Sequence, residues 1–350
     1  ADIIRSYRLG AAELAGRGVT HVYDAGALAP PGIVALNLDF GRYLALLRRT
    51  DADSALPLSV SLMIPAPSRL ADSLLAVKSP RWELSPRLRI THLKLFADGA
   101  LGSRGAALSH PYHDDPSTTG VSRMRTDEIV DLAEGALDRG LGVAVHATGD
   151  LAVNRTLDAF ETILARRPDL DRRKLRIEHF SYASDADLDR AARLGVVLSI
   201  QSSFNAFPED RPTFAATRVG PKHADRVYAW DRLARAGAVL AEGSDAFTRP
   251  IFEFTSNFQA TLTRVNAVGA SRPDAEGRIV SWRLNSMWHP AAGPARDPAI
   301  RPGSAANLIL MKPDPFAVAR DRIWATKIIA TVREGRATWA VDSLRAVFDD

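Results

Sequence analysis

Four residues able to do chemistry recur at comparable places in this 350-residue chain: Lys94, His146, His179 and Asp245. Each closes, or nearly closes, a short apolar run. The runs are Leu93-Lys94-Leu95-Phe96, Val143-Ala144-Val145-His146, Leu175-Arg176-Ile177-Glu178-His179 and Val239-Leu240-Ala241-Glu242-Gly243-Ser244-Asp245. Lys94 is the most telling, because a charged amine among apolar neighbours is costly unless it is paired or bound to a metal. Only six of the 45 lysines and arginines are lysine, so lysine is not filler here. Unlike arginine, lysine can lose its proton and then act as a nucleophile or take up carbon dioxide. Two imidazoles and a carboxylate suit zinc and similar divalent ions. A lysine carbamate would add two oxygens able to bridge two ions, and a pair of ions activates the water between them.

Each residue also has an ordinary reading. His146 and His179 are then satisfied strand-end imidazoles, and Glu178, on the opposite face from His179 by alternation, forms a structural pair. Asp245 caps the turn after Gly243-Ser244, and Lys94 snorkels to a rim. These readings hold jointly only if chance puts all four residues at strand ends.

The elements that must position them follow from periodicity. Helices are expected over 2–17, 33–50, 69–77, 126–139, 151–166, 184–194 and 224–236. Strands are expected over 18–25, 56–64, 90–96, 142–146, 174–179, 195–201 and 237–245. Strands alternating with helices predict parallel βαβ units. Seven such strands, with a helix ahead of the first, fit an α/β TIM-type (β/α)8 barrel lacking its first strand. The alternative is an open doubly wound sheet, but no glycine-rich dinucleotide fingerprint follows any strand. Residues 1–275 are read as the barrel. Residues 276–350 change texture: Pro290, Pro294, Pro298 and Pro302 break helices, and short strands near 306–311, 328–332 and 337–341, with a hairpin turn at Glu334-Gly335, predict part of a small β-sandwich.

Composition narrows the function classes. Hydrophobic residues are 46% and charged residues 25%, ordinary for a globular protein. No apolar run approaches the ~18 residues of a membrane span, so no membrane partner is expected. The formal charge of +4 is spread over scattered arginines without a basic stripe, which argues against nucleic acid. Cysteine is absent, which excludes disulfides and thiolate metal sites. The expected partner is a small-molecule substrate, with a homo-oligomer admitted. No signal-peptide pattern appears, leaving a cytoplasmic setting as the default. The chain starts Ala-Asp-Ile-Ile directly in helical periodicity, which reads as either a processed chain or a fragment of a longer one. Among the remaining histidines, His92 is expected in the core, and His110 and His113 on the surface or a substrate loop. His223 lies on a loop able to reach the barrel mouth and, with Arg104 on the glycine-rich turn after Lys94, is a substrate-binding candidate; the ordinary reading of Arg104 is a surface arginine.

Several long stretches resemble the metal-dependent amidohydrolase superfamily, in its YtcJ-like branch, amidohydrolase family 3. They are LKLFADGALGSRGAAL at 93–108, HPYHDDPSTTG at 110–120, VAVHATGDLAVNRTLDAFE at 143–161, LRIEHFSYASDADLDRAARLGVVLSIQ at 175–201 and LAEGSDAF at 240–247. PGSAANLILMKPDPF at 302–316 and VREGRA at 332–337 resemble that family's closing β-sandwich strands. The resemblance implies a TIM-type barrel holding one or two divalent ions, zinc foremost. Lys94, often carboxylated in the family, would be a ligand with His146, His179 and Asp245. Asp245 would also be catalytic, shuttling the proton of the attacking water. The implied reaction is hydrolysis of non-peptide carbon–nitrogen bonds in an amide or N-acyl substrate. The alternatives are an inactive truncated scaffold, or a lactone or ester hydrolase using the same site. The family's first-strand His-x-His pair is absent from these residues, and Ser202-Ser203-Phe204 follow Gln201 where the family commonly has a proline and a histidine.

Overall fold

The computed structural model describes residues 2–25, 40–77, 81–201, 204, 217–245, 302–303 and 305–348. Residues 33–39 of the second expected helix, Ser202, Ser203, the prolines from 290 to 298 and His289 lie outside these. The chain forms two compact units, Ala1–Leu93 with Ala299–Asp350, and Lys94–Pro298. Composition alone places one boundary near 275.

The first unit begins with α1 (Asp2–Gly16), β1 (His21–Asp24), α2 (Phe40–Thr50), β2 (Ser59–Pro65) and α3 (Arg69–Leu75). It continues with β3 (Glu83–Ser85) and the first residues of β4 (Leu88–Phe96). Helix α1 buries Ile4, Ala11, Leu14 and Ala15, one stripe at helical spacing. Strand β1 runs parallel to β2 with Val22 opposite Val60, and β3 makes an antiparallel pair with β4 that periodicity does not reveal. His92 is buried at 3% exposure, as expected of a core residue.

The second unit holds the end of β4, then α4 (Thr126–Asp138), β5 (Gly142–Ala147), α5 (Asp150–Arg166), β6 (Leu175–His179), α6 (Asp185–Leu194), β7 (Val197–Ile200), α7 (Trp230–Arg235) and β8 (Val239–Glu242). The last residues of β4 and strands β5 to β8 are neighbours in chain order. The parallel registers set Val145 opposite Ile177, Ile177 opposite Leu198 and Leu198 opposite Leu240. All of these residues are fully buried. Strands covered by helices bury both faces, so they read as continuous apolar runs and not as alternating ones. Helix α6 is bounded by its own chemistry: Ser184 Oγ accepts from the Asp187 amide at 3.1 Å, and Gly195 at φ 64° ends it. The helix expected over 224–236 is instead a short 3₁₀ turn, Ala224–Arg226, followed by α7. Tyr228 breaks the run, at φ 53° with its amide donating to Ser181 O at 2.6 Å.

The end of the chain rejoins the first unit as β9 (Leu308–Lys312), β10 (Lys327–Arg333), β11 (Arg336–Ala340) and α8 (Asp342–Phe348). The three strands form an antiparallel sheet in the order β11-β10-β9. Glu334 and Gly335 make its hairpin, both at positive φ. Buried Thr331 ties the sheet to α1, its Oγ1 donating to Ala15 O at 2.7 Å.

Candidate active site

Parallel strands present their carboxyl ends on one side, and that side carries the candidate residues. Lys94 lies two residues before the end of β4, His146 one before the end of β5, and His179 is the last residue of β6. Gln201 follows β7, and Asp245 follows β8 after two linking residues. His146 stands opposite Glu178, and Ala147 opposite His179, so the two histidines fall one residue out of step on neighbouring strands. Their rings approach edge to face with centroids 4.5 Å apart. His179 leaves β6 at φ 78°, followed by Phe180 at 46°, and Asp245 sits at 50°. Positive φ is uncommon for such residues and is held only where the surroundings insist on it.

Lys94 is 2% exposed, and its Nζ makes no hydrogen bond in the structure. It lies 4.8 Å from the centroid of the Phe96 ring, which itself stands 5.7 Å from His146. Burial pushes the Lys94 amine down to about 8, against the opposing charges of Glu178 and Asp245. The pair foreseen for Glu178 is formed with Arg176, whose Nε donates to Oε1 at 3.0 Å. Burial alone would raise the Glu178 carboxyl, but Arg176 and Lys94 outweigh it and bring it to about 2. Glu178 therefore also faces the lysine electrostatically.

Hydrogen bonding fixes the tautomer of each histidine. Gln201 Nε2 donates to Ser199 O at 3.2 Å, so its Oε1 is the atom 2.8 Å from His179 Nδ1. That nitrogen carries the proton, and Nε2 keeps its lone pair. His146 Nε2 lies 3.3 Å from Gly99 O, 3.2 Å from Thr148 Oγ1 and 3.5 Å from Asp98 Oδ1. The Gly99 carbonyl only accepts, so the proton is on Nε2 and the lone pair on Nδ1. Burial drives His146 well below the ordinary imidazole value, aided by the charges of His179 and Lys94. Burial also lowers His179, with Asp245 opposing. Both rings are therefore neutral near pH 7, the form that binds metal.

Among the described residues, no three His, Asp or Glu side chains group closely enough to hold a metal by themselves. What the structure shows is two neutral imidazoles in ring contact, a buried amine without a hydrogen bond whose charge acts on both, and exposed Asp245, whose charge acts on Lys94 and His179. These residues fit a divalent cation if the amine carries an anionic group.

The two expected substrate contacts sit in other company. Arg104, at φ 57°, donates to both oxygens of Asp114, at 3.3 and 3.0 Å, and Arg218 also pairs with Asp114. His223 stacks on His110 with centroids 4.9 Å apart, and His110 Nε2 lies 3.0 Å from Tyr182 OH. Sequence reasoning passed over Asp98, Gln201 and Phe204, the last stacked on His179 at 6.0 Å. A polar side chain straight after a buried strand was the available signal for Gln201.

The comparisons with known proteins bear on the family and the fold. The sequence model of the amidohydrolase family matches residues 2–338. A protein of Bacillus subtilis (strain 168) named "Putative amidohydrolase YtcJ" is 31% identical over 270 residues, 74% of this chain and 50% of that protein. The N-substituted formamide deformylase of Arthrobacter pascens is 24% identical over 252 residues, 71% of this chain and 45% of that one. An uncharacterized metal-dependent hydrolase from Pyrococcus furiosus superposes with a TM-score of 0.64 at 29% identity, covering 81% of this chain and 54% of that one. The fold class is thus the TIM-type α/β class predicted by strand–helix alternation. The chain spans about half the length of the relatives it matches.

Proposed function

The chain belongs to the amidohydrolase family, and on that footing we propose that the protein hydrolyses a non-peptide carbon–nitrogen bond of an amide or N-acyl substrate. The observation that carries this reading is the buried, hydrogen-bond-free Nζ of Lys94 beside two neutral imidazoles. An amine lowered to about 8 is unprotonated often enough at neutral pH to add carbon dioxide. The resulting carbamate of Lys94, Nδ1 of His146, Nε2 of His179 and the carboxylate of Asp245 would hold the divalent ion, with zinc the first choice for this donor set. Such an ion supplies a lowered water pKa and polarisation of the scissile carbonyl.

The chain's own residues do the rest. Asp245, exposed at the strand ends, accepts the proton of the attacking water and delivers it to the departing nitrogen, so that acid and amine leave in balance. Gln201 keeps His179 from turning, by holding Nδ1. Glu178, paired to Arg176, stays anionic and balances charge on the strand side of Lys94. The formamide deformylase among the relatives favours small N-acyl groups as first substrates.

The test is a panel of N-formyl, N-acetyl and longer N-acyl amines, with matched lactones and esters, offered to the full-length protein with and without added zinc. Zinc-dependent release of amine, absent in Asp245→Asn, is the expected result. Turnover confined to lactones or esters would move the reading to that chemistry, and no turnover of anything would leave the scaffold alternative standing.

A further inference from the structure

The carboxylate of Asp98 is wholly buried, yet it belongs to none of the four candidate ligands. Its Oδ1 accepts from the Thr148 amide at 3.0 Å. Its Oδ2 accepts from the Gly149 amide at 2.8 Å and the Ala107 amide at 3.0 Å. One side chain thus sews the turn after β4 to the turn after β5. The two turns meet so closely that a Cβ on Gly149 would fall 2.1 Å from Ala107 O. The same turns present Gly99 O, Thr148 Oγ1 and Asp98 Oδ1 to a single atom, Nε2 of His146. The Gly99 carbonyl can only accept, so the nitrogen that bonds to it carries the proton, and the Thr148 hydroxyl and the Asp98 carboxyl stand on the same side of the ring.

We propose that Asp98 is a positioning residue for the hydrolytic centre: by locking the 107 and 148–149 amides and facing Nε2, it holds His146 in the Nε2–H tautomer with the Nδ1 lone pair turned to the metal. This rests on the hydrolase reading above for the metal, although the tautomer claim stands without it. A carboxylate behind a metal-binding imidazole fixes the tautomer and orientation of the ring and raises its basicity. Asp98 does this from the loop between β4 and α4, so the strand that carries Lys94 also sets the ring of His146.

The test uses full-length protein labelled with nitrogen-15 histidine, kept metal-free, with the His146 resonances assigned by their loss in His146→Gln. Wild type should show His146 as Nε2–H. Asp98→Asn, which turns an amide group against its N–H donors, should give a mixed tautomer and a zinc affinity roughly ten- to hundredfold lower in chelator competition. Thr148→Val, which removes the hydroxyl and leaves the carboxylate, should keep both the tautomer and the affinity; it decides the matter if Asp98→Asn does not fold. A wild-type Nδ1–H form, or an Asp98→Asn protein with unchanged tautomer and zinc affinity, overturns the proposal. So does a Thr148→Val protein that switches tautomer. If wild type binds no zinc, the hydrolase reading fails, while the tautomer comparison still judges Asp98.

Discussion

Burying the Lys94 amine carries a cost to stability. Its amine is pulled from the ordinary lysine value to about 8 because burial outweighs the attraction of Glu178 and Asp245. Replacing it with an apolar residue of similar length removes that cost. Lys94→Met should therefore raise the stability of the metal-free protein by about 1–3 kcal/mol, read by denaturant titration, while zinc retention is lost. A Met variant that is less stable yet fully active would mark the lysine as structural. Gln201→Ala should cut zinc affinity about ten- to hundredfold, and Gln201→Glu, which keeps an acceptor for His179 Nδ1, should recover most of it; equal loss in both variants would show that the acceptor is irrelevant. Lys94 was legible in the sequence because its neighbours Leu93 and Leu95 make a charge there conspicuous. Asp98 was not, because its role is set by amides at 107, 148 and 149 that only the fold brings together.

The elements were readable wherever their pattern is local. Helices α1, α4, α5 and α6 and strands β5 to β11 carry their stripes, buried runs and turn residues in the chain itself, and the expected spans lie within a few residues of those observed. The reading failed where tertiary contacts decide, as at Tyr228, which is held in left-handed backbone by a bond to Ser181. Loop packing makes its own predictions. Gly149→Ala forces a methyl onto the Ala107 carbonyl, so the two turns must part. The expected loss is about 3 kcal/mol or more, with zinc affinity falling alongside; a wild-type melting temperature would contradict the close approach. The loop carrying Arg104 is pinned through Asp114. Burial would raise this carboxyl, but bonds to Arg104 and the charge of Arg218 hold it below its ordinary 3.8. The depressed value means the pairing stabilises the fold above pH 3.8 and is lost as pH falls through the lower, folded value. The melting-temperature gap between wild type and Asp114→Asn should hold steady above about pH 5 and close in stronger acid. A gap that is flat throughout would mean the pairing contributes nothing.

At the scale of the whole molecule, some of the scattered arginines pair with nearby acids among the described residues: Arg190 joins Asp158, Glu161 and Asp187, and Arg226 and Arg232 share Asp185. No helix among the described residues is long and apolar enough to cross a membrane. The central claim is that Lys94, His146, His179 and Asp245 together make a metal-dependent hydrolytic centre. Its most direct test is to strip the full-length protein with a chelator, restore zinc, and follow N-acyl amine hydrolysis and bound metal together, in wild type and Lys94→Ala. The account predicts that activity disappears and returns with the metal in wild type, and that Lys94→Ala neither retains zinc nor turns over. Hydrolysis that survives chelation, or a Lys94→Ala protein that holds metal and works as well as wild type, would contradict it.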